Sequence, residues 1–305
     1  MIRRLLPQPA RLHSFGFLVI LLAVSSISQR VWAQGSGPGT HGARAASLSN
    51  ASAALAGEIW AVGNNAAGLG ALSQPTVGFY AENRYFSPGL NVAALAVALP
   101  VGGTERLTAD GAQRRARAGV VGFEAQRFGG ALYNETRLAA GYGYRLGLVA
   151  VGARLEMLQV SLEGLGSRRV LLASLGGQAE IIPQRLTFGA YLYNLNQARL
   201  AQYLDERVPT VLKAGLAYRA ASTVLLCVET EKDVERDANF KAGLEYRPTA
   251  GLAARLGFAT LTEQTTAGLG LRFGKYNLDY AAAWQTALGL SQHLSVTLRF
   301  EKDEK

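Results

Sequence analysis

Residues 276–284 alternate between apolar and polar or small side chains with a period of two, and the last third of the chain repeats this pattern. Successive side chains of a β-strand point to opposite faces, so each set of residues occupies one face of a strand. The apolar face carries aromatic residues near its ends, as at Tyr276 and Trp284, whereas the other face carries charges. This pattern is typical of a membrane barrel, with lipid outside and a wet lumen inside. A soluble β-sandwich would turn its apolar face inward, and periodicity alone does not separate the two.

The N-terminus indicates export. Arg3, Arg4 and Arg11 precede an apolar run at 15–24, and small or tolerated residues at 31–33 offer a cleavage point. Together these features predict a secretory signal peptide. The apolar run is shorter than the roughly 20 residues of a spanning helix, which disfavours a single membrane anchor. An exported chain rich in strands is periplasmic, secreted or an outer-membrane β-barrel, and the strand pattern favours the cell outer membrane with its lipids as surroundings.

The residues from 75 onward predict fourteen strands. An even number returns both ends of a barrel to the same side, as in bacterial single-chain barrels. We therefore predict an all-β fold, a transmembrane antiparallel β-barrel; a count of twelve, with weak early strands merged into a plug, stays open. Tight turns alternate with longer loops, except that the long connection 102–116 falls where a tight turn is expected. The predicted strands are 75–83, 90–101, 117–128, 135–145, 147–161, 169–181, 185–196, 209–219, 222–231, 237–247, 250–260, 264–273, 275–285 and 292–300.

Four regions follow along the chain. We expect a signal peptide at 1–33, an N-terminal linker and plug or hatch at 34–74, the barrel at 75–300 and a charged tail at 301–305. Residues 34–74 do not alternate and are rich in small residues, so they either lie in the lumen or lead into the first strand. The chain has 35 glycines. Several fall on the lumen-facing phase, where a missing side chain allows curvature or close approach of a plug: Gly141, Gly143, Gly257, Gly268 and Gly270.

Two sets of residues are candidates for function. The first faces the predicted lumen and is charged: Arg137, Arg145, Arg154, Glu156, Lys213, Glu229, Lys241, Glu245, Arg255, Arg272, Asp279 and Arg299. The second lies in the predicted outer loops and combines aromatic residues with arginine, the composition of protein contact sites: Arg84, Tyr85, Phe86, Phe128, Tyr133, Arg199 and Tyr203. The aromatic residues of the first loop fit a membrane-surface girdle equally well.

The sequence predicts no catalytic, cofactor or metal site. Its histidines are His13 in the signal peptide, His41 in the expected linker and His293 near the last strand, and no serine–histidine–acid set assembles around them. The single cysteine, Cys227, excludes an internal disulfide and a cysteine metal cluster. The predicted signal peptide contains four arginines and no acidic residue, so its removal leaves 27 basic and 22 acidic residues, a net charge of +5. This charge is mild and evenly scattered, which does not indicate nucleic-acid binding.

Ordered motifs along the chain resemble PorV/PorQ-like outer-membrane proteins. They include the stretches 42–48, 65–69, 243–248 and 268–271, although Ala66 stands where that family has proline. The resemblance implies a relative of the FadL fatty-acid transporters, with a 14-stranded barrel and an N-terminal plug. It also implies a role in type IX protein secretion, in which the barrel receives or shuttles exported cargo.

Three functions remain open. The favoured one is a secretion-associated barrel that binds protein partners or cargo through its outer loops. The second is a FadL-like transporter of hydrophobic small molecules, which the many lumen charges disfavour because they are costly to desolvate around an apolar ligand. The third is a structural subunit of another outer-membrane assembly.

Overall fold

The computed structural model describes residues 37–39, 41–102, 105–107, 113–115, 118–201 and 206–300. The expected signal peptide, the charged tail and Tyr203 lie outside the described residues. The expected region boundaries therefore stay predictions.

Fourteen antiparallel strands form one closed barrel, which confirms the predicted fold class and count and shows that the alternative of twelve is wrong. Going round the barrel, β1 (Thr76–Asn83) pairs with β2 (Asn91–Val101) on one side and with β18 (Gly289–Arg299) on the other, so that Tyr80 lies opposite both Ala94 and Ser295. The barrel strands are β1 (Thr76–Asn83), β2 (Asn91–Val101), β5 (Gly119–Gly129), β6 (Tyr133–Leu146), β7 (Val149–Leu162), β8 (Gly166–Ile182), β9 (Leu186–Tyr193), β12 (Val211–Ala221), β13 (Val224–Asp233), β14 (Asn239–Thr249), β15 (Leu252–Ala259), β16 (Gln264–Phe273), β17 (Tyr276–Gln285) and β18 (Gly289–Arg299).

Four short strands form two small hairpins outside the barrel sheet. The strands β3 (Glu105–Leu107) and β4 (Gln113–Arg115) pair within the long connection between β2 and β5, the one that breaks the alternation of turn lengths. The strands β10 (Arg199–Ala201) and β11 (Glu206–Arg207) pair within the connection 194–210.

The two ends of the barrel differ in their connections. One end, called the turn end below, carries the short turns 147–148, 183–185, 222–223, 250–251 and 274–275. Gly147 and Gly274 adopt positive φ there (59° and 53°), which glycine does without steric cost. The other end, called the loop end, carries 84–90, 130–132, 163–165, 194–210, 234–238, 260–263 and 286–288. In bacterial barrels short turns face the periplasm and longer loops face outward, so we expect the turn end to be periplasmic.

The outer surface of the barrel is apolar. Leucine, valine and aromatic side chains of alternate strand positions are exposed, while their neighbours point inward and are buried. Exposed aromatic residues gather near both ends, with Phe240, Phe258 and Trp284 toward the loop end and Phe273 and Tyr246 toward the turn end. An apolar band between two aromatic girdles is the surface of a transmembrane β-barrel.

Residues 41–72, called the N-terminal segment below, lie inside the barrel. The Ala43 N–H donates to Ser295 Oγ on β18 (3.2 Å), and Asn65 Nδ2 donates to the Ala190 carbonyl on β9 (3.2 Å). These two strands face each other across the barrel, so the segment spans the lumen between them.

The N-terminal segment contains only short helical turns. They are α1 (Ala43–Ser47), α2 (Ala61–Asn64) and a 3₁₀ helix (Ala66–Ala71). Among the described residues, no helix has the length and apolar character to cross a membrane. Around α2, Ile59, Trp60 and Val62 form a buried apolar cluster with the inward side chains of β1, β2 and β5, including Tyr80.

Inward-facing glycines let the backbone of the N-terminal segment touch the barrel wall. A Cβ atom at Gly152 would lie 2.2 Å from the Ala67 nitrogen, and one at Gly176 would lie 1.9 Å from Asn65 Oδ1. Either distance is well inside van der Waals contact, so a larger side chain would push the segment away. The same close approach occurs at three glycines expected to face a plug: Gly143, Gly257 and Gly268.

Candidate functional site in the barrel lumen

A chain of buried charges runs along one wall of the lumen. His41 Nδ1 lies 2.5 Å from Glu124 Oε1, and Arg154 Nη2 donates to Glu124 Oε2 at 3.0 Å. Arg154 also pairs with Glu156 at 2.9 Å, and Glu156 pairs with Arg137 at 3.0 Å. All five side chains are buried. His41, expected in a linker, therefore anchors the N-terminal segment to β5.

A second cluster joins β12, β13 and β14. Lys241 pairs with Glu229 at 3.3 Å and with Glu231 at 2.7 Å, and Lys213 pairs with Glu231 at 3.3 Å. The Glu229 carboxylate also accepts hydrogen bonds from the backbone N–H groups at 52–53, at 2.9 and 2.7 Å. This carboxylate is therefore a second anchor for the N-terminal segment.

The third cluster centres on Glu245, which is 1% exposed. Arg44 from α1 donates to both of its carboxylate oxygens, at 2.8 and 3.1 Å, and pairs with Glu58 at 3.1 Å. Arg255 pairs with Glu245 and with Asp279, each at 2.7 Å. Burial opposes the charged form of Arg44, but its two carboxylate partners outweigh burial and hold its pKa well above the ordinary value.

Three arginines of the predicted lumen set lie near the turn end. Arg145 pairs with Glu180. Arg272 is exposed and donates to Asn277 Oδ1 at 3.1 Å, and Arg299 is half-buried on β18. Every residue predicted to line the lumen therefore lies on the inner face of the barrel. Most of them are buried and form ion pairs, so they do not line open water.

The loop-end half of the lumen carries an apolar cluster that the charge pattern did not predict. We call it the apolar patch; it comprises Leu158, Leu172, Tyr191, Tyr193, Val208 and Val211, all buried. Half-buried Ala198 and Leu200 of the connection 194–210 pack against it. Its floor is polar, because Arg137 Nη1 donates to the Tyr193 hydroxyl at 3.0 Å. Leu158 shares the inward phase of Arg154 and Glu156, and this phase was the signal available in the sequence.

The predicted loop residues are mostly held at the rim. Arg84 pairs with Glu82 at 2.6 Å and lies 4.9 Å above the Phe128 ring. Tyr85 donates its hydroxyl to Gln285 at 2.8 Å, and burial raises the pKa of Tyr85. Phe86 is exposed.

The second predicted loop is shorter than expected. Phe128 belongs to β5 and Tyr133 begins β6, so both lie at strand ends, and their rings form an edge-to-face pair with centroids 6.3 Å apart. The loop is shorter because β6 starts at Tyr133, two residues before its predicted start at 135. Arg199 is exposed on β10 of the fourth loop.

The remaining reactive side chains are buried in structural contacts. His293 lies 2.9 Å from the Tyr80 hydroxyl and stacks on that ring, and Cys227 is a buried free thiol. Within the described residues, no group of three or more histidine, cysteine, aspartate or glutamate side chains is arranged to hold a metal ion.

Comparisons with known proteins support the barrel and nothing finer. No protein-family model matches the chain, and no curated protein matches it. Among solved structures, the CymD monoaromatic hydrocarbon channel is similar with a TM-score of 0.63 and 12% identity, over 86% of this chain and 98% of that one. The Pseudomonas putida toluene transporter TodX is similar with a TM-score of 0.53 and 11% identity, over 87% of this chain and 98% of that one. At these identities the likeness shows the fold, an outer-membrane type of β-barrel; the narrower resemblance to PorV/PorQ-like proteins has no matching family model.

Proposed function

We propose that the protein is a FadL-like outer-membrane transporter that takes up small hydrophobic molecules from outside the cell. The observation that carries this proposal is the apolar patch at the loop end of the lumen, covered by the connection 194–210. A pocket for an apolar ligand needs such a wall, with a few polar groups to orient the ligand. The fold shared with a hydrocarbon channel and a toluene transporter agrees with this proposal.

The sequence pattern predicts that the lumen charges disfavour an apolar ligand, but this objection is weaker where the charges are paired. Arg137 and Glu156, which both contact the Tyr193 hydroxyl of the apolar patch, form an ion pair with each other at 3.0 Å. A ligand that contacts Leu158 and Leu172 therefore meets apolar side chains first and a paired, hydrogen-bonded floor second. Each apolar contact removed from water contributes about 25 cal/mol per Å² of area. Below this floor the N-terminal segment lies across the lumen, so we expect release into the periplasm to require that segment to move.

Binding of radiolabelled toluene to the protein in nanodiscs tests this function. We expect Leu172→Ala, within the apolar patch, to weaken toluene binding by about tenfold, because roughly 1.4 kcal/mol of apolar contact is lost. Leu171→Ala is the matched control, since the adjacent Leu171 points to lipid and is exposed. Equal effects of the two changes, or no saturable binding by the unaltered protein, would refute the proposal.

A second function is supported by the loop tips. Leu165, Leu132 and Val234 are 83%, 76% and 72% exposed in three separate outer loops. The loops of Leu132 and Leu165 are neighbours at the loop end, and exposed apolar side chains on neighbouring loops are typical of a protein contact surface. This observation favours a barrel that binds partner or cargo proteins, the role that the PorV/PorQ resemblance implies for type IX secretion.

Co-purification from detergent-solubilised outer membrane tests the second function. We expect Leu132→Ser with Leu165→Ser to remove a partner that purifies with the unaltered protein. Leu146→Ser is the control, because Leu146 is 71% exposed at the turn end. A partner retained by the double variant contradicts this role.

A further inference from the structure

A cavity of about 90 Å³ lies at the turn end, between the N-terminal segment and strands β14 to β18. It is bordered by the turn 250–251 and by residues at the turn ends of β16, β17 and β18, so it faces the periplasm. Its charged lining is dominated by arginine: Arg44, Arg247, Arg255, Arg272 and Arg299. Glu58 and Asp279 are the acidic residues of the lining.

The acidic residues already form ion pairs with some of these arginines. Glu245, behind the lining, accepts from Arg44, Arg247 and Arg255 at 2.7–2.8 Å. Asp279 pairs with Arg255 and Glu58 pairs with Arg44. Of the five arginines that line the cavity, this leaves Arg272 and Arg299.

Neither Arg272 nor Arg299 forms an ion pair with a carboxylate in the described part of the chain. Among the described residues, Arg272 donates only to the neutral amide of Asn277. The Nε atom of Arg299 is buried with no hydrogen-bond acceptor. A buried donor without an acceptor is rare in native proteins and calls for a partner.

The barrel sheet brings these groups together by register. Arg272 lies opposite Asn277 on β17, and Asn277 lies opposite Thr297 on β18, two residues before Arg299. Gly270 leaves room beside them, because a Cβ there would lie 2.7 Å from Arg255 Nη2. The missing side chain leaves the space in which Arg255 pairs with Asp279.

We infer that this cavity binds an oxyanion, a phosphate or carboxylate group presented from the periplasmic side. Arginine presents its donors in a planar fork that matches both groups with two parallel hydrogen bonds. Two arginines without carboxylate partners, in a cavity lined by three more, supply the charge and the donors for one such group. The group belongs either to a soluble anion or to the headgroup of a periplasmic-leaflet lipid. This inference is independent of what passes through the loop end.

Isothermal titration of the full-length protein with pyrophosphate, in phosphatidylcholine nanodiscs at low salt, tests the site. We expect saturable binding that weakens by about tenfold in Arg272→Gln and again in Arg299→Gln, since a hydrogen bond to a charged group is worth about one such factor. Arg219→Gln is the control, because Arg219 is an exposed arginine at the turn end outside the cavity. Heat-modifiable migration in gels verifies that each variant is folded.

Two further arms distinguish the sources of the anion. Succinate in place of pyrophosphate tests carboxylate, and phosphatidylglycerol nanodiscs test the headgroup, which as the true ligand would compete with pyrophosphate and lower its apparent affinity. Pyrophosphate affinity that is equal in both lipids supports a soluble anion. Absence of saturable binding of pyrophosphate and succinate by the unaltered protein, or an equal loss in Arg219→Gln, would overturn the inference.

Discussion

The ion pairs of Glu245 predict how firmly the N-terminal segment is held. Replacing Glu245 with glutamine keeps the side-chain shape and removes the charge that holds Arg44 of α1, as well as Arg247 and Arg255 of the wall. Because Arg44 is the only one of the three that belongs to the N-terminal segment, the loss weakens the attachment of that segment to β14.

The size of the effect follows from the remaining partners. Removal of one member of a buried ion pair costs roughly 3–5 kcal/mol. Here the cost is lower, because Arg44 and Arg247 are 16% and 35% exposed and Arg44 keeps Glu58 at 3.1 Å. We expect about 2–3 kcal/mol after this screening. That free energy shifts the balance toward a displaced segment by roughly 30- to 150-fold.

Single-channel recording in planar bilayers measures the displacement. The unaltered protein should show little steady conductance, and Glu245→Gln should show frequent openings. Glu180→Gln is the matched control, because Glu180 pairs with Arg145 and accepts from the Gln184 N–H, both outside the N-terminal segment. Openings that are equally frequent in the two variants, or absent from Glu245→Gln, would show that Glu245 does not hold the segment.

Two other changes test the barrel and its lumen. Leu278→Arg, on the lipid-facing phase of β17, should destabilise the folded barrel by roughly 2–4 kcal/mol if it lies near the midplane. Asn277→Arg, on the inner phase, should be nearly neutral. Heat-modifiable gel migration measures both changes, and equal tolerance of the two would contradict the face assignment. Deletion of 42–70 with the signal peptide kept should raise conductance sharply, because a 14-strand barrel lies between the filled interior of about eight strands and the open channel of about 16. The charged wall should make that current depend on salt, and large stable channels in the intact protein would contradict a closing role for the segment.

The strands and their faces could be predicted from the sequence because alternation is a local property of the chain. Leu138, Ala140 and Tyr142 face out while Arg137 and Arg145 face in, as the period of two requires. The places of the short turns at every second junction could be predicted because they are the gaps between alternating segments. Strand ends were less well predicted, since β6 begins at Tyr133 where side-chain alternation is already weak.

The partners of the lumen charges could not be predicted, because they join positions far apart in the chain. Arg44 meets Glu245 and His41 meets Glu124 only after the barrel has closed around the N-terminal segment. Local pattern marks each of these residues as polar and inward but does not pair them. The apolar patch was missed for a related reason. Leu158 and Leu172 occupy the phase that the charge pattern predicts to be wet, and only the closed barrel brings them together with Tyr191.

The composition of the N-terminal segment bears on whether it can move. In its first part, at 43–54, many contacts with the wall are made by alanine and serine, as between Ser47 and Gly268, and such small residues bury little apolar area each. Its second part packs more firmly, because Ile59, Trp60 and Val62 lie in the buried apolar cluster with β1, β2 and β5. The buried ion pairs that anchor it contribute position more than net stability, since desolvation offsets most of their attraction. Separation of the part at 43–54 from the wall therefore costs less free energy than displacement of the whole segment, which would also expose Ile59, Trp60 and Val62. For the proposed transport function, movement of this part of the segment would let a ligand that arrives at the apolar patch pass toward the turn end without unfolding of the barrel.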